Sequence, residues 1–325
     1  MIGKVAVIGA GSLGTAIAQI VSNNVEVVHL YAKRKKVVDE IIDTRINSEY
    51  YPAVKLSDKI KPIYNFDNGF DPDVIFFCVP SSAIRATATK IKSRIDCKNS
   101  ILVSTAKGIE YPSIKTMGKI IFGITGTNPV IFSGPTFASE IIFNLPTIAN
   151  IASKNIHELN VVKDVLTTDN FLVDTTDDVI GTEMCSILKN INAIAYGICE
   201  GININDNAKY AVLTKGFNET KEIVAKIGGD PKTVDTYCGF GDLVLTATSK
   251  KSRNYTLGLL YGERIIIDEK SSGILFEGKK SILAVKKICD EYNTESVITN
   301  FVYDIIGIHE SPNMAFRRLW GAMGR

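Results

Sequence analysis

An α/β fold is what this sequence predicts: a doubly wound, mainly parallel sheet followed by a mainly α-helical C-terminal domain. Three observations predict it. The first half of the chain alternates short, nearly continuous Val/Ile/Phe runs with amphipathic stretches, as βαβ units do when their strands are buried on both faces. A glycine-rich turn, Gly9-Ala10-Gly11-Ser12-Leu13-Gly14, falls directly between the first such run and the first amphipathic stretch. Beyond about residue 178 strand signals nearly vanish, and apolar residues recur at helical spacing.

Element by element, strands are expected at 4–8, 26–31, 61–64, 73–79, 100–105, 130–133, 147–152 and 171–174. Helices at 13–21, 35–44 and 83–95 fill several of the gaps. In the second half Ile187, Ile191, Ile194 and Ile198 define one apolar helix face, and 211–227 and 279–292 also read as helices. Only the short 265–267 run suggests a strand there. The expected division is a sheet domain over 1–176 and a helical domain over 177–325, without internal repeats or a low-complexity linker.

Bulk properties narrow the function classes. The 325 residues hold 45% hydrophobic and 22% charged residues, ordinary globular usage that excludes wholesale disorder. Thirty-seven Lys+Arg against 35 Asp+Glu leave a formal charge of +2, which gives no general reason to expect nucleic acid or an anionic membrane as partner. The run Lys33-Arg34-Lys35-Lys36 is too short to coat a duplex. No stretch approaches the roughly 18 apolar residues of a membrane span. Val5-Ala6-Val7-Ile8 is too short for the apolar region of a signal peptide and runs straight into glycines, so a cytoplasmic location is expected. Six cysteines are scattered without a Cys-x-x-Cys pair, Cys97 and Cys289 in polar surroundings and Cys78, Cys185, Cys199 and Cys238 among apolar or small residues. Such usage favours reduced thiols. His29, His157 and His309 form no ligand spacing, and no metal is expected.

The Gly9–Gly14 turn matches Gly-x-Gly-x-x-Gly in the context that gives the motif meaning, a strand before it and a helix after it. The first glycine permits the tight turn and the second a close backbone approach to pyrophosphate. The third allows helix–strand packing, and the helix N-terminus offers N–H donors. This is the Rossmann-type signature of a dinucleotide site. A site selective for NAD usually places Asp or Glu on the ribose hydroxyls about 20 residues downstream. Here the second strand ends Leu30-Tyr31-Ala32-Lys33-Arg34. Cations there suit a 2′-phosphate, so NADP is expected to be tolerated or preferred over NAD; the alternative is a solvated basic start to the next helix.

Polar signals collect at expected strand ends, where ligands of open α/β sheets bind. Val79-Pro80-Ser81, Lys107-Gly108-Ile109-Glu110 and Ser133-Gly134-Pro135-Thr136 are the instances. Lys107 is a candidate substrate cation, or else a surface lysine in a turn. Lys189 lies two residues from both Ile187 and Ile191 and is expected to project away from their apolar face, beside Ser186, Asn190 and Asn192. Taken alone, that pattern fits a solvated helix face as well as a catalytic group. Gly239-Phe240-Gly241-Asp242 presents one carboxylate at a helix start, with Thr246 just beyond. In Ser252-Arg253-Asn254 a guanidinium fork flanked by polar donors can bind phosphate, or simply belong to a basic loop.

Together these segments resemble one family, NAD(P)-dependent glycerol-3-phosphate dehydrogenase, in particular its bacterial-type branch. The resemblance runs from Gly9 to about Pro312 on ordered motifs: GAGSLGTAIA (9–18), VPS (79–81), KGIE (107–110) and SGPTFASE (133–140) in the first half, then LKN (188–190), NDNAKYAVLTKG (205–216), FGDLVLTATS (240–249), SRN (252–254) and FEG (276–278). It implies Lys189 as general acid/base and Lys107 as a second lysine on the substrate, with Asp242 the third catalytic group. It implies substrate contacts from Gly134, Thr136, Ser252, Arg253 and Asn254, with Asn190 and Thr246 lining the site. Dinucleotide contacts are implied at Gly9, Gly11, Ser12, Leu13, Gly14, Lys33, Arg34, Ala138, Leu275 and Glu277, and also at Lys107 and Arg253. The implied substrate is a small phosphorylated triose, the implied role the supply of sn-glycerol 3-phosphate for glycerophospholipid synthesis, and the implied assembly a homodimer. Leu13 stands where bacterial members usually carry an aromatic, Thr136 where Ser is commoner, and Cys238-Gly239-Phe240 where Ala/Gly/Leu is usual.

The residue types suit the chemistry. A free lysine titrates near 10.4 and is a poor base at neutral pH. Burial and a second cation such as Lys107 would lower the value for Lys189, while close contact with Asp242 would raise it. Two other readings use the same residues less completely: a two-domain hydroxyacid or sugar dehydrogenase with another substrate, and a catalytically silent dinucleotide-binding regulator. The regulator would need only the glycine loop.

Overall fold

Alternating residues along each central strand bury on opposite faces, and that builds the first half of the molecule. A computed structural model describes residues 3–66, 70–265 and 277–323, the last span with side chains from residue 281 onward. Eight strands form the main sheet: β1 (Lys4–Ile8), β2 (Val27–Tyr31), β3 (Ile60–Ile63), β4 (Val74–Phe77), β5 (Ile101–Ser104), β8 (Val130–Ser133), β9 (Thr147–Ala152) and β10 (Phe171–Thr176). A separate hairpin supplies β6 (Ile109–Glu110) and β7 (Lys115–Thr116). The sheet follows the order β10-β9-β8-β5-β4-β1-β2-β3. Every neighbouring pair is parallel except β8 with β9. The run β3-β2-β1-β4-β5-β8 is the doubly wound order, with its switch point beside β1.

Val5, Val7, Val74 and Phe76 face one core with α1 (Ser12–Val21), α2 (Lys35–Thr44), α5 (Ala138–Ile142) and α6 (Ile156–Leu166). Ala6, Ile8, Ile75 and Phe77 face the other, with α3 (Ile84–Lys92) and α4 (Met117–Thr125). The expected strands therefore form: β2, β4 and β5 are trimmed at their ends, β3 begins one residue earlier, and β10 runs on to Thr176. The helix expected at 83–95 is shorter, since a 3₁₀ turn at Ser81–Ala83 precedes it and the helix is capped at Ser93.

The chain divides into two compact units, and the division crosses the expected boundary at 176/177 in one place. Unit one is 1–106 with 117–179; unit two is 107–116 with 180–325. After β5 the chain leaves the sheet for the antiparallel hairpin of β6 and β7. Ile109 buries in the apolar core of the helical unit and the partly buried Ile114 packs against it, which outweighs continuity with the sheet. Thr116 Oγ1 donates to the buried Glu183 carboxylate at 2.7 Å and fastens the hairpin's far end.

The helical unit is organised around α7 (Val179–Gly201), with α8 (Asp206–Lys226), α9 (Asp242–Thr248), α10 (Arg253–Gly262), α11 (Glu277–Glu291), α12 (Val297–Ile306) and α13 (Pro312–Ala322). Of the two readings open for Lys189, the solvated face is not the one that forms, because α7 is buried from Gly181 to Cys199, Ser186, Asn190 and Asn192 included. Cys97 and Cys289 are likewise buried, not in polar surroundings, and Cys78 is the partly exposed cysteine; all six are free thiols. Apart from Ile265, the expected 265–267 strand lies outside the described residues. Among the described residues no helix is long and apolar enough to cross a membrane, and no cluster of side chains could hold a metal ion.

Glycines set the crossing of α7 and α10. A Cβ on Gly258 would stand 2.1 Å from the Ile194 carbonyl oxygen, and one on Gly262 2.5 Å from that of Ile198. Equally, one on Gly197 would meet the Tyr255 oxygen at 2.2 Å and one on Gly201 the Leu259 oxygen at 2.4 Å. Both helices advance together, so they run parallel in backbone contact. Gly258→Ala should destabilise the fold by about 1–3 kcal/mol through overpacking against backbone. Gly123→Ala, on α4 with nothing within 4 Å of the new methyl, should be neutral or stabilising by about 0.5 kcal/mol. Urea denaturation of the two variants checks this pair.

Candidate active site

Three segments of the helical unit each deliver one charged side chain to a common point. Lys107 comes from the start of the hairpin segment, Lys189 from α7 and Asp242 from the first residue of α9. A π-helical turn at Tyr237–Gly241 leads into α9; such turns recur at functional sites. Gly239 is required in it, since a Cβ there would lie 2.2 Å from the Val234 oxygen.

The Asp242 carboxylate binds both lysines. Lys189 Nζ donates to Oδ1 at 2.5 Å and Lys107 Nζ to Oδ2 at 3.1 Å. Thr246, one turn along α9, accepts from Lys189 Nζ at 3.1 Å and donates to Asp242 Oδ1 at 3.1 Å. Lys189 is 5% exposed and Asp242 2%, whereas the Lys107 side chain keeps 19%. Burial drives the Lys189 ammonium down to about 7; the Asp242 charge pulls it up and the Lys107 charge pushes it down. For Asp242 burial alone would raise the carboxyl, but the two ammonium groups outweigh it and hold it below its ordinary value. The cluster thus contains a fixed anion, an open-edged cation and a buried amine poised to exchange a proton near neutrality.

The other expected substrate residues are differently placed. Asn190 turns its amide back to the Ser186 carbonyl at 3.3 Å, outside the ion cluster. Ser252 Oγ caps α10 by accepting the Tyr255 N–H at 3.2 Å, which leaves its own hydroxyl proton for a ligand. Arg253 is exposed and Asn254 half-buried. The parallel register of α7 and α10 sets residues 252–254 within about one turn of Lys189 along the axis.

In the sheet unit the glycine loop has the shape a dinucleotide needs. Gly9 sits at φ +117, where a Cβ would meet the Cys78 oxygen at 2.4 Å, and one on Gly14 would lie 1.8 Å from the Gly9 oxygen. At Gly11 nothing lies within 4 Å, so the backbone there is open to a ligand, and as N-cap of α1 it has no side-chain cap. The residues fit a bound pyrophosphate. Leu13 and Ala138 are partly buried against the sheet core. Gly134, at φ +136, packs against the Ala149 backbone, and Thr136 Oγ1 donates to the Gly134 carbonyl at 3.1 Å. Lys33 and Arg34 are exposed beyond β2, where Arg34 pairs with Glu49. Leu275 and the Glu277 side chain lie outside the described residues.

Sequence reasoning missed the residues that hold this loop. The buried Asn47 donates to the Ala10 carbonyl at 3.1 Å and to Thr15 Oγ1 at 2.9 Å. The Tyr51 hydroxyl pairs with Ser12 Oγ at 2.6 Å. No local spacing in Asn47-Ser48-Glu49-Tyr50-Tyr51 signals that role. The doubled Gly-x₃-Gly of Gly197/Gly201 and Gly258/Gly262 was a readable signal.

Residues 4–159 match the family described as NAD-dependent glycerol-3-phosphate dehydrogenase N-terminus, and residues 178–317 the corresponding C-terminus. The chain belongs to the NAD-dependent glycerol-3-phosphate dehydrogenase family. A glycerol-3-phosphate dehydrogenase (NAD(P)+) of Methanothermobacter thermautotrophicus is 36% identical over 323 residues, covering 99% of this chain and 98% of its own. Its counterpart in Bacillus subtilis is 34% identical over 310 residues, covering 93% and 90%. The crystal structure of glycerol-3-phosphate dehydrogenase from Coxiella burnetii superposes with a TM-score of 0.89 at 31% identity over 98% of each chain.

The ion cluster makes a physical prediction independent of turnover. By NMR of ¹³C-labelled lysine, Lys189 should deprotonate near pH 7, and Lys107→Met should move that midpoint upward. The substitution removes an opposing cation and leaves Asp242 to one partner. A downward move, or an unmodified protein titrating near the ordinary 10.5, would contradict the cluster's electrostatics.

Proposed function

We propose that the protein is an NAD(P)-dependent glycerol-3-phosphate dehydrogenase that interconverts dihydroxyacetone phosphate and sn-glycerol 3-phosphate, with Lys189 as general acid/base. The observation that carries the reading is a buried lysine sharing one carboxylate with a second lysine, in a chain that also holds an open glycine loop. The nicotinamide, when bound, supplies hydride to the carbonyl carbon or accepts it in the reverse direction. What remains for the chain is orientation and the proton.

In reduction the Lys189 ammonium donates a proton to the ketone oxygen as negative charge develops there; in oxidation the neutral amine takes the proton of the secondary hydroxyl. Lys107 turns its less buried ammonium to the same oxygen and stabilises its alkoxide character. Two ammonium groups against one carboxylate leave the cluster net positive while Lys189 is protonated. That excess favours a developing anion and, equally, release of the proton. Asp242 stays ionised and fixes both amines. Thr246 accepts from Lys189 and limits its rotation.

Arg253, with Ser252 and Asn254 beside it, anchors the substrate phosphate, and binding energy spent on that remote group aligns the ketone. Gly134, Thr136 and Asn190 complete the proposed substrate contacts. Residues 9–14 and Ala138 are the proposed dinucleotide contacts, with Lys33 and Arg34 the cations available to a 2′-phosphate, so NADP is accepted as well as NAD. The product suits a supply of sn-glycerol 3-phosphate for glycerophospholipid synthesis.

Lys189→Met should lower kcat at least about 100-fold while NADH still binds, as measured by nicotinamide fluorescence; near-normal kcat would remove Lys189 from the chemistry. In the unmodified enzyme kcat/KM for ketone reduction should fall as pH rises through about 7, since the acid form is lost. The oxidation profile should rise over the same interval. Arg253→Ala should raise KM for dihydroxyacetone phosphate about 10-fold or more, with a smaller change in kcat.

A further inference from the structure

The end of β2 is where an adenosine ribose is fixed in this fold, and the sequence has no acid there, only Tyr31-Ala32-Lys33-Arg34. A different segment brings an acid to Arg34. Residues 47–51, beyond α2, are fastened directly to the glycine loop at two points. Asn47 donates to the Ala10 carbonyl and to Thr15. Tyr51 bonds both the hydroxyl of Ser12 and, at 3.1 Å, its carbonyl. Ser48 is tied back to Glu40 on α2, and the Tyr51 N–H closes a turn on the Asn47 carbonyl at 2.8 Å.

Glu49 stands between these anchors, and its carboxylate pairs with the Arg34 guanidinium. The segment that carries it is therefore held against the phosphate loop on both sides of Glu49. The two side chains keep 43% and 60% exposure, so a ligand can reach both. Lys35 is paired as well, with Asp39 on its own helix.

We infer that Glu49 selects the coenzyme, occupying the guanidinium that a 2′-phosphate requires and offering an unphosphorylated ribose a hydroxyl acceptor, so that the protein favours NAD(H) over NADP(H). This rests on the dinucleotide site proposed above and deepens it. A 2′-phosphate approaching Arg34 must displace a carboxylate and then lie beside it, whereas a free 2′-hydroxyl donates to the same carboxylate. The preference runs against the one that Lys33 and Arg34 suggest in the sequence, because half of that cationic pair is already committed to an anion 15 positions along the chain.

The test is the ratio of dissociation constants for NADPH and NADH, read by nicotinamide fluorescence at one fixed ionic strength, for the full chain and for Glu49→Gln. The unmodified protein should bind NADH more tightly. Glu49→Gln should shift the ratio toward NADPH by about 2- to 5-fold, the effect of one exposed charge pair. In an Arg34→Ala background the same substitution should change NADPH binding less. An unmoved ratio overturns this inference and leaves the dinucleotide site standing. So does weaker NADPH binding in Glu49→Gln, which would mean that Glu49 merely holds Arg34 in place for the phosphate. Failure of the unmodified protein to bind either nucleotide overturns both.

Discussion

One carboxylate shared by two lysines governs the architecture of the helical unit. Buried charges persist only when paired, and removing one partner of a buried pair typically costs about 3–5 kcal/mol. Asp242 has two partners and satisfies both. Its position must then be reachable by three chain segments at once. The hairpin segment leaves the sheet to bring Lys107, α7 carries Lys189 through the middle of the unit, and a π-turn leads into α9, whose first residue meets them. The supporting contacts follow from the same demand. Glu183, nearly two turns before Lys189 on α7, holds the hairpin through Thr116, so the helix that carries one lysine also fixes the segment that carries the other.

The balance of charge in that cluster is a compromise between stability and reactivity. A fully neutralised Lys189 would keep its proton; an unneutralised one would not survive burial as a cation. Burial sets the downward direction, Asp242 opposes it, and Lys107 restores it. The Lys107 side chain keeps a fifth of its exposure, so it shares the carboxylate from the more open edge of the cluster. The acid/base group is thereby tuned by a neighbour less deeply buried than itself.

Much of this was legible in the sequence, and the illegible parts have a common cause. The nearly continuous apolar runs of β1, β4 and β8 announce strands covered on both faces, because local composition responds to local burial. The glycine loop is legible because its geometry needs glycine at fixed spacing. The burial of Lys189 was not legible. Ile187, Ile191, Ile194 and Ile198 define one stripe and leave the lysine off it, and only the elements packed around the rest of α7 cover that other side. The transfer of residues 107–116 to the helical unit was hidden likewise, since nothing in Lys107-Gly108-Ile109-Glu110 records a helix some 80 positions on. Asn47, Glu49 and Tyr51 act from a loop whose composition is that of any polar connection. What escapes sequence reading is the long-range partner, not the local preference.

The division of α7 into two halves shows how one rigid element can meet opposite requirements. Its N-terminal half buries Thr182, Glu183, Ser186, Lys189, Asn190 and Asn192, polar groups that must each find a partner. Its C-terminal half, from Ala193, is apolar and meets α10 through glycines at backbone contact. The close crossing allows almost no sliding, because carbonyl oxygens stand where a methyl would be. Rigidity generated in the apolar half is transmitted along an unbroken helix to the polar half, where a proton-transferring amine has to be held to within a fraction of an ångström. The same crossing fixes the start of α10, so the group proposed to bind phosphate and the group proposed to move the proton are referenced to one helix axis rather than to two independent loops.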